Sequence, residues 1–423
     1  MVLSIFSGRS FALVTNGVKV FRSDTIHEVR LYFSQPHYWE TLVSNYEAAH
    51  DENLHQSETV DTTVIMASVR IDGIKIDSIG VKLKSNFSYS ISTDKKPMKL
   101  YFNAFRKGKT FDGLLKLNLS NEFPDPSMLR NTVAYKIFRE AGVMAPRTSF
   151  ARVYVNNKYK GLYVMIEQID KSFFSRYFKQ TGGDLIKGQA GYLYWFAEDT
   201  ISFWNNYEIK SNNTPAAWTR LIALAKKLNT TPRHLAYDSL KNIFDFDSYI
   251  KVLAADIVFN NWDSYFYGQN YYLYRDTVEN KYYYLPWDYN AALNNFDVGG
   301  ADFAILPDGT NDDLFKLPLV SIVVNNEFLK KKYFTELNRI NQYMSVDSLE
   351  KFIHKMHTLM TPALKADSGK VITMDEYEKS LTQKIGISEI EFEGLLTFIR
   401  YRHKQVTKML IEAGWVDETE IKK

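Results

Sequence analysis

The feature that most constrains this chain is a change of hydrophobic period part-way along it. Residues 26–79 alternate short apolar segments with polar ones (VRLYF, VIMASVRIDGIKI), the period-two signature of strands with one buried face. Residues 81–119 continue in that style as VKLK, the polar loop SNFSYSISTDKKP, MKLYF and GLLKLNL, which predicts three antiparallel strands. At Asp125 the pattern turns helical. Asp125 is placed to cap, Pro126 suits a first turn, and Leu129, Val133, Ile137 and Phe138 share one face before Gly142 stops the helix. The run TSFARVYVNNKYKGLYVMIEQID then reads as a β-hairpin turning at Asn156 and Asn157, closing the β-rich part near Asp170. Beyond it, 214–228, 232–244 and 246–260 carry helical periodicity with Thr214, Thr231 and Asp245 as caps. Ser388 with Glu391 matches a capping box opening a long helix that Gly414 ends. The expected class is α+β, with a β-rich N-terminal lobe and a mainly helical C-terminal lobe.

Composition narrows the function classes. With 423 residues, 45% of them hydrophobic, the chain has ample material for a large core. Its net charge of +3 comes from interspersed signs without a basic stripe, so nucleic acid is not an expected partner. The absence of cysteine excludes disulfides, thiolate metal sites and cysteine nucleophiles. No run of about 18 apolar residues occurs, so no transmembrane segment is expected. The opening MVLSIFSGRSFALVTNGVKVF lacks a basic n-region before a continuous apolar run, so no signal peptide is expected in it.

The stretch richest in chemistry is ADIVFNNWDSYFYGQNYYLYRD followed by KYYYLPWDYNAAL. A helix runs into Asp263, a loop reaches Asn270, and two aromatic strands deliver Asp288. Phosphoryl transfer requires a carboxylate near the acceptor hydroxyl and an oxygen set that holds magnesium on the phosphates. In protein kinases base, metal-binding Asn and metal-binding Asp follow one another in this order. Asp263 and Asp288 are 288 − 263 = 25 residues apart, the reach of a loop plus a hairpin. Both aspartates also have blander readings, since an Asp after a helix or after Pro-Trp commonly starts a turn. The His-Arg-Asp and Asp-Phe-Gly strings of ordinary kinases are absent.

Four ordered blocks settle which reading to pursue: KKPMKLYF leading to FDGLLKLNLSN, DPSMLRNTVAYKIFREAGVMAPRTSFARVYVN, YKGLYVMIEQIDKSFF, and NNWDSY with NYYLY and LPWDYN. Over residues 69–300 the chain resembles the CotH (spore coat protein H) kinase family. The resemblance implies a bilobal, atypical protein-kinase-like fold. The expected division is an N-terminal β-rich extension over 1–75, a kinase-like N-lobe over 76–170 and a helical C-lobe over 171–423. It implies ATP with Mg or Mn as cofactors, transfer to Ser/Thr hydroxyls of a coat or surface protein, and a place in a spore coat, at a cell surface or outside the cell. Asp263 becomes the catalytic base, Asp288 the metal ligand with Asn270, and the loop 85–97, Ser88 within it, a cover for phosphate.

The sequence departs from that family in two places: Ser85 stands where relatives tend to carry glycine, and Asn290 makes Asp-Tyr-Asn of an Asp-Tyr-Asp pattern. For the phosphate-binding lysine, Lys116 on the third strand before the helix is favoured, with Lys99 in reserve. Glu167, on the strand before the interlobe connection, is a candidate for nucleotide contact, with a surface salt bridge as its alternative. A helix partner for the lysine is not evident, Glu140 lying too near the C-terminal end. RKGKT at 106–110 lacks the upstream glycine of a P-loop, and the eight histidines form no metal pair. The competing expectation is a catalytically silent coat or adhesion protein that keeps the fold.

Overall fold

The computed structural model describes residues 16–50, 64–85, 87–195, 201–295, 317–345 and 347–417. The expectation about a leader falls on residues largely outside these. The fold is α+β, with strands dominating the N-terminal part and helices the C-terminal part.

Seven strands close into a barrel in the order β1-β2-β3-β4-β5-β7-β6. They are β1 Ile26–Tyr32, β2 Ile65–Ile71, β3 Ile74–Leu83, β4 Met98–Tyr101, β5 Lys116–Ser120, β6 Thr148–Val155 and β7 Lys158–Glu167. A closed ring with an odd number of strands cannot be antiparallel throughout. The β1–β6 contact is the parallel pair that resolves this, with Ile26 opposite Phe150 and Leu31 opposite Val155. Closure itself was not anticipated, because alternation along each strand is the same in an open sheet and in a barrel. The antiparallel β3–β4–β5 run and the β6–β7 hairpin match expectation. Asn156 and Asn157 take φ of 46° and 64°, the left-handed turn that asparagine tolerates.

Inside the barrel Val29, Leu31, Val69, Val81, Leu83, Leu100, Leu117, Leu119, Val153 and Met165 form one apolar core. Alternate residues on β6 and β7, Phe150, Leu162, Val164 and Ile166, point outward into a second core shared with the rest of the chain. Both faces of β7 are therefore buried. Helix α1 (Tyr38–Ala49) interrupts the region read as continuous strands. Its Tyr38, Trp39, Leu42, Val43 and Tyr46 pack on the barrel core, a helical spacing that the alternating text around it hid.

Helix α2 spans Arg130–Glu140, starting four residues later than a cap at Asp125 would have it. Asp125 instead accepts from the amides of Ser127, Leu129 and Arg130 and so organises the turn leading in. Thr214 and Asp245 cap the helices Pro215–Thr230 and Phe246–Val258 as expected. Thr231 ends the preceding helix, its amide donating to Lys227 O, instead of opening the next, and Pro232 leads only into a short 3-10 turn followed by Ala236–Leu240. Ser388, at φ 58°, makes the turn of the small hairpin β12–β13 (Ile385–Ile387, Ile390–Phe392), so the long helix begins later, at Leu395–Glu412, and Gly414 follows its end at φ 74°. A second sheet, ordered β11-β10-β8-β9, comprises β8 Asp184–Gly188, β9 Tyr207–Ile209, β10 Tyr271–Arg275 and β11 Tyr282–Pro286. No helix among the described residues is long and apolar enough to cross a membrane.

The loop between β3 and β4 is anchored from the far end of the chain. Lys95 Nζ lies 2.6 Å from Asp367 Oδ2, with the two side chains 3% and 0% exposed. The same carboxylate accepts from the amides of Leu162 (3.0 Å) and Gly369 (2.8 Å), and Thr93 Oγ1 donates to Gly369 O. Gly161 is required here, since a Cβ would stand 2.4 Å from the Asp367 carboxylate. Breaking a buried pair leaves an uncompensated charge, so Asp367→Ala is expected to cost about 3–5 kcal/mol, and Lys95→Met/Asp367→Leu far less. Urea unfolding midpoints test this; an Asp367→Ala midpoint within error of wild type would contradict it.

Candidate functional site

The Pro-Trp-Asp-Tyr-Asn segment after β11 is held by α2. Asn131 and Tyr135, four residues apart, share one helix face. Tyr135 Oη accepts from the amide of Asp288 at 2.9 Å, and Asn131 Oδ1 accepts from the amide of Tyr289 at 2.7 Å. Two consecutive backbone N–H groups are thereby fixed, which holds Asp288 at φ 59°. Tyr289 then turns inward, its hydroxyl donating to Asp256 at 2.6 Å. Asn290, the departure from the acidic pattern, donates its amide to Phe123 O at 3.1 Å.

Asp263 lies beyond the Phe246–Val258 helix. Gln269 donates to its carboxylate, and Asn270 Nδ2 donates to its backbone carbonyl at 2.9 Å. The carbonyl of Asn270 in turn accepts from the Trp287 amide at 3.0 Å, tying the Asp263 loop to the segment that carries Asp288. Burial holds the Asp263 carboxyl above its usual range; hydrogen bonding from Gln269 opposes this and the charge of Asp288 adds to it. The two carboxylates, 25 residues apart in sequence, thus stand within one another's electric field.

Asp288 lines a small surface pocket together with Lys84, Ser85, Ser88, Pro97, Ser120, Tyr135, Ile166 and Trp287. One wall is the outer face of β3–β5. Because Val81, Leu83, Leu100 and Leu117 point into the barrel, Lys82, Lys84, Lys99 and Lys116 point out. In the second sheet Lys187 on β8 stands opposite Glu208 on β9, which is ion-paired with Lys210. Burial, followed by the neighbouring charges of Lys84, Lys210, Lys82 and Lys116, pushes the Lys99 ammonium well down. Lys84 is lowered by burial, which Asp288 and Glu122 oppose. Among the described residues no hydrogen-bond partner is found for Nζ of Lys84, Lys99 or Lys187. Half-buried ammonium groups without partners form a site that an anion would relieve.

The residues expected from sequence are distributed unevenly around this pocket. Ser88 lines it, although its hydroxyl donates to Phe123 O at 2.8 Å. Lys84, which sequence reading passed over, lines it as well, whereas Lys116 lies beneath the Tyr101 ring, 4.8 Å from its centroid. Glu167 is fully buried and clasped by Arg147 (2.6 and 3.0 Å) and Arg176 (2.7 Å), an interior ion cluster rather than a surface bridge. Glu122 was also passed over. It is 1% exposed, accepts from the Asn131 amide at 3.1 and 3.3 Å and from Ser120, and stands within the field of Asp288. Its only sequence signal is its place just after β5, in SNEF.

No group of three or more His, Cys, Asp or Glu side chains among the described residues could hold a metal unaided.

Burial raises the Glu122 carboxyl from 4.5 to about 8 and that of Asp256 from 3.8 to about 7. Each folded-state carboxyl keeps a proton that the unfolded chain has lost, so its contribution is complete below the unfolded value and disappears as pH rises through the folded one. Stability should therefore fall between about pH 5 and 8, and Glu122→Gln should flatten the upper part of that slope. Chemical denaturation across pH checks this; an unchanged slope in Glu122→Gln would contradict it.

Comparison with known proteins follows the same segments. The chain is 26% identical over 295 residues to the inner spore coat protein H of Bacillus subtilis (strain 168), covering 66% of this chain and 77% of that one. It is 23% identical over 264 residues to the invasin CotH3 of Rhizopus delemar, covering 58% of this chain but only 44% of the relative. Among solved structures, the Helicobacter pylori proinflammatory kinase CtkA aligns with 70% of this chain and 100% of its own at 10% identity, with a TM-score of 0.28, too low to define a shared fold. The sequence model described as CotH kinase protein matches residues 83–406, which include β4 to β11, Asp263 and Asp288. The chain belongs to the CotH kinase protein family.

Proposed function

We propose that this chain is an ATP-dependent protein kinase that transfers a phosphoryl group to Ser/Thr hydroxyls of a protein substrate with the help of Mg or Mn. The observation that carries this is that Asp288 lines one pocket with Lys84, while the loop of Asp263 is tied to the Asp288 segment through Asn270 and Trp287. In this reading Asp263 accepts the proton of the attacking hydroxyl, its orientation set by Gln269. Asp288 and Asn270 hold the metal, and the metal neutralises charge on the phosphates. Lys84 replaces Lys116 as the phosphate-binding lysine, with Lys99 behind it. Glu122 adds to the charge around Lys84 only where it ionises, above about pH 8, and α2 offers no other glutamate than Glu140 at its C-terminal end. Ser88 lies in the loop that covers the phosphates.

The proposed lobes divide near residue 170, with 76–170 as N-lobe and 171–423 as C-lobe. Residues 1–75 extend the N-lobe, contributing β1 and β2 to its barrel. The names of the relatives support a spore-coat or cell-surface setting and a coat or surface protein as acceptor.

A second reading, a coat protein without catalysis, draws on Asn290, whose amide is occupied by a backbone carbonyl and which brings no charge to a metal. Labelled ATP with magnesium or manganese separates the two. Asp263→Asn should reduce transfer by about 10²–10⁴-fold, and Asp288→Ala should abolish it with the fold intact by thermal melting. Transfer at wild-type rate by either variant would contradict the assigned roles, and a wild-type protein whose melting is unmoved by ATP plus magnesium would favour the second reading.

A further inference from the structure

Most of the loop between β3 and β4 is pinned by its barrel neighbours. Asn121 Nδ2 donates to the carbonyls of Ser88 (2.9 Å) and Lys95 (3.0 Å), Ser88 Oγ to Phe123 O (2.8 Å), and Tyr163 Oη to Lys96 O (3.1 Å). These partners belong to β7 and to the turn that follows β5. Ser85, where the loop begins, is held differently. Its carbonyl accepts from Tyr46 Oη at 2.5 Å, and Tyr46 belongs to helix α1. The Tyr46 ring stacks on Tyr89 of the same loop at 3.6 Å and on His50, just past the end of α1, at 4.0 Å. Leu42, Trp39 and Val43 seat the helix on the barrel core. Helix α1 lies before the residues, 83–406, that the family model matches.

Ser85 needs such a hold. It takes φ 68°, the left-handed region in which glycine is at ease and a serine's Cβ crowds the following carbonyl. A residue with a side chain stays there when its surroundings over-determine it. Ser85 also lines the pocket with Lys84 and Asp288, so its backbone conformation shapes the pocket rim.

We infer that Tyr46 is a positioning residue of this pocket: its hydroxyl holds the Ser85 backbone in the left-handed conformation, so that α1 does for a serine what a glycine would do unaided. The inference rests on the kinase reading only for the ligand, a nucleoside triphosphate with its metal; the clasp itself belongs to the ligand-free chain. Asp288 is fixed by α2 instead, so release of α1 loosens the rim and leaves the carboxylate segment in place.

The test compares the full chain with Tyr46→Phe, Ser85→Gly and the two combined. Tyr46→Phe keeps the ring stack and removes only the hydrogen bond, and thermal melting verifies that each variant is folded. In hydrogen exchange without ligand, the amides of residues 84–90 should exchange about three- to tenfold faster in Tyr46→Phe, the worth of one hydrogen bond, with the barrel strands unchanged. Calorimetry should show ATP plus magnesium bound more weakly by a similar factor. In the Ser85→Gly background Tyr46→Phe should cost less than about twofold, because glycine keeps the conformation without help. A general loss of stability would act alike in both backgrounds, so equal losses overturn the proposal. Unchanged exchange over 84–90 in folded Tyr46→Phe overturns it too, as does faster exchange with undiminished ATP binding. Tyr89→Leu, which removes the stacked ring, takes the place of Tyr46→Phe should that variant not fold, with the same expected and overturning results. Exchange that responds as expected in a chain that binds no ATP plus magnesium upholds the clasp and overturns the kinase reading.

Discussion

Strand alternation gives the barrel two outer walls of opposite character, and the arrangement around the cleft depends on that difference. On β6 and β7 the outward residues are Phe150, Leu162, Val164 and Ile166, which merge with the second core and fasten the barrel to the rest of the chain. On β3, β4 and β5 they are Lys82, Lys84, Lys99, Lys116, Asn118 and Ser120. Dry packing against that second wall would strand several ammonium groups without water or partners, at a cost far above what apolar contact returns.

Helix α2 makes a defined site beside this wall. Its Val133, Ile137 and Phe138 lie in the shared core, and its polar face reaches the Asp288 segment through Asn131 and Tyr135. Arg130, fully buried in its first turn, donates to the carbonyls of Leu293 and Glu393 and so ties the same helix to chain segments far apart in sequence. The loop over the cleft is held on its other flank by the Lys95–Asp367 pair. Two backbone amides of the Asp288 segment and the side chains of Arg130 and Lys95 share these attachments, which suits a site whose carboxylates must keep their positions while charge moves nearby.

Much of this could be read from the sequence, and the omissions have physical causes. Period-two runs gave β3, β4, β5 and the β6–β7 hairpin because each strand buries one face, and NNWD with PWDYN pointed to the segments that meet. Barrel closure escaped because it depends on the pairing of β1 with β6, some 120 residues apart, for which alternation carries no signal. Lys84 and Glu122 escaped for a related reason. A lysine in VKLK looks like any exposed strand lysine, and only its place in one pocket with Asp288 sets it apart. Glu167 looked available until Arg147 and Arg176 were seen to enclose it. Ser388 and Glu391 matched a capping box that a two-residue hairpin turn outcompeted.

In the proposed function Asp263, Asp288 and Lys84 act together on a single metal-bound polyphosphate. A crystal structure with a non-hydrolysable ATP analogue and manganese, located by its anomalous scattering, tests this. The manganese peak is expected on Asp288, with the phosphates against Lys84 and Asp263 facing the terminal phosphate. A peak elsewhere on the molecule, or a nucleotide bound away from both aspartates, would contradict it.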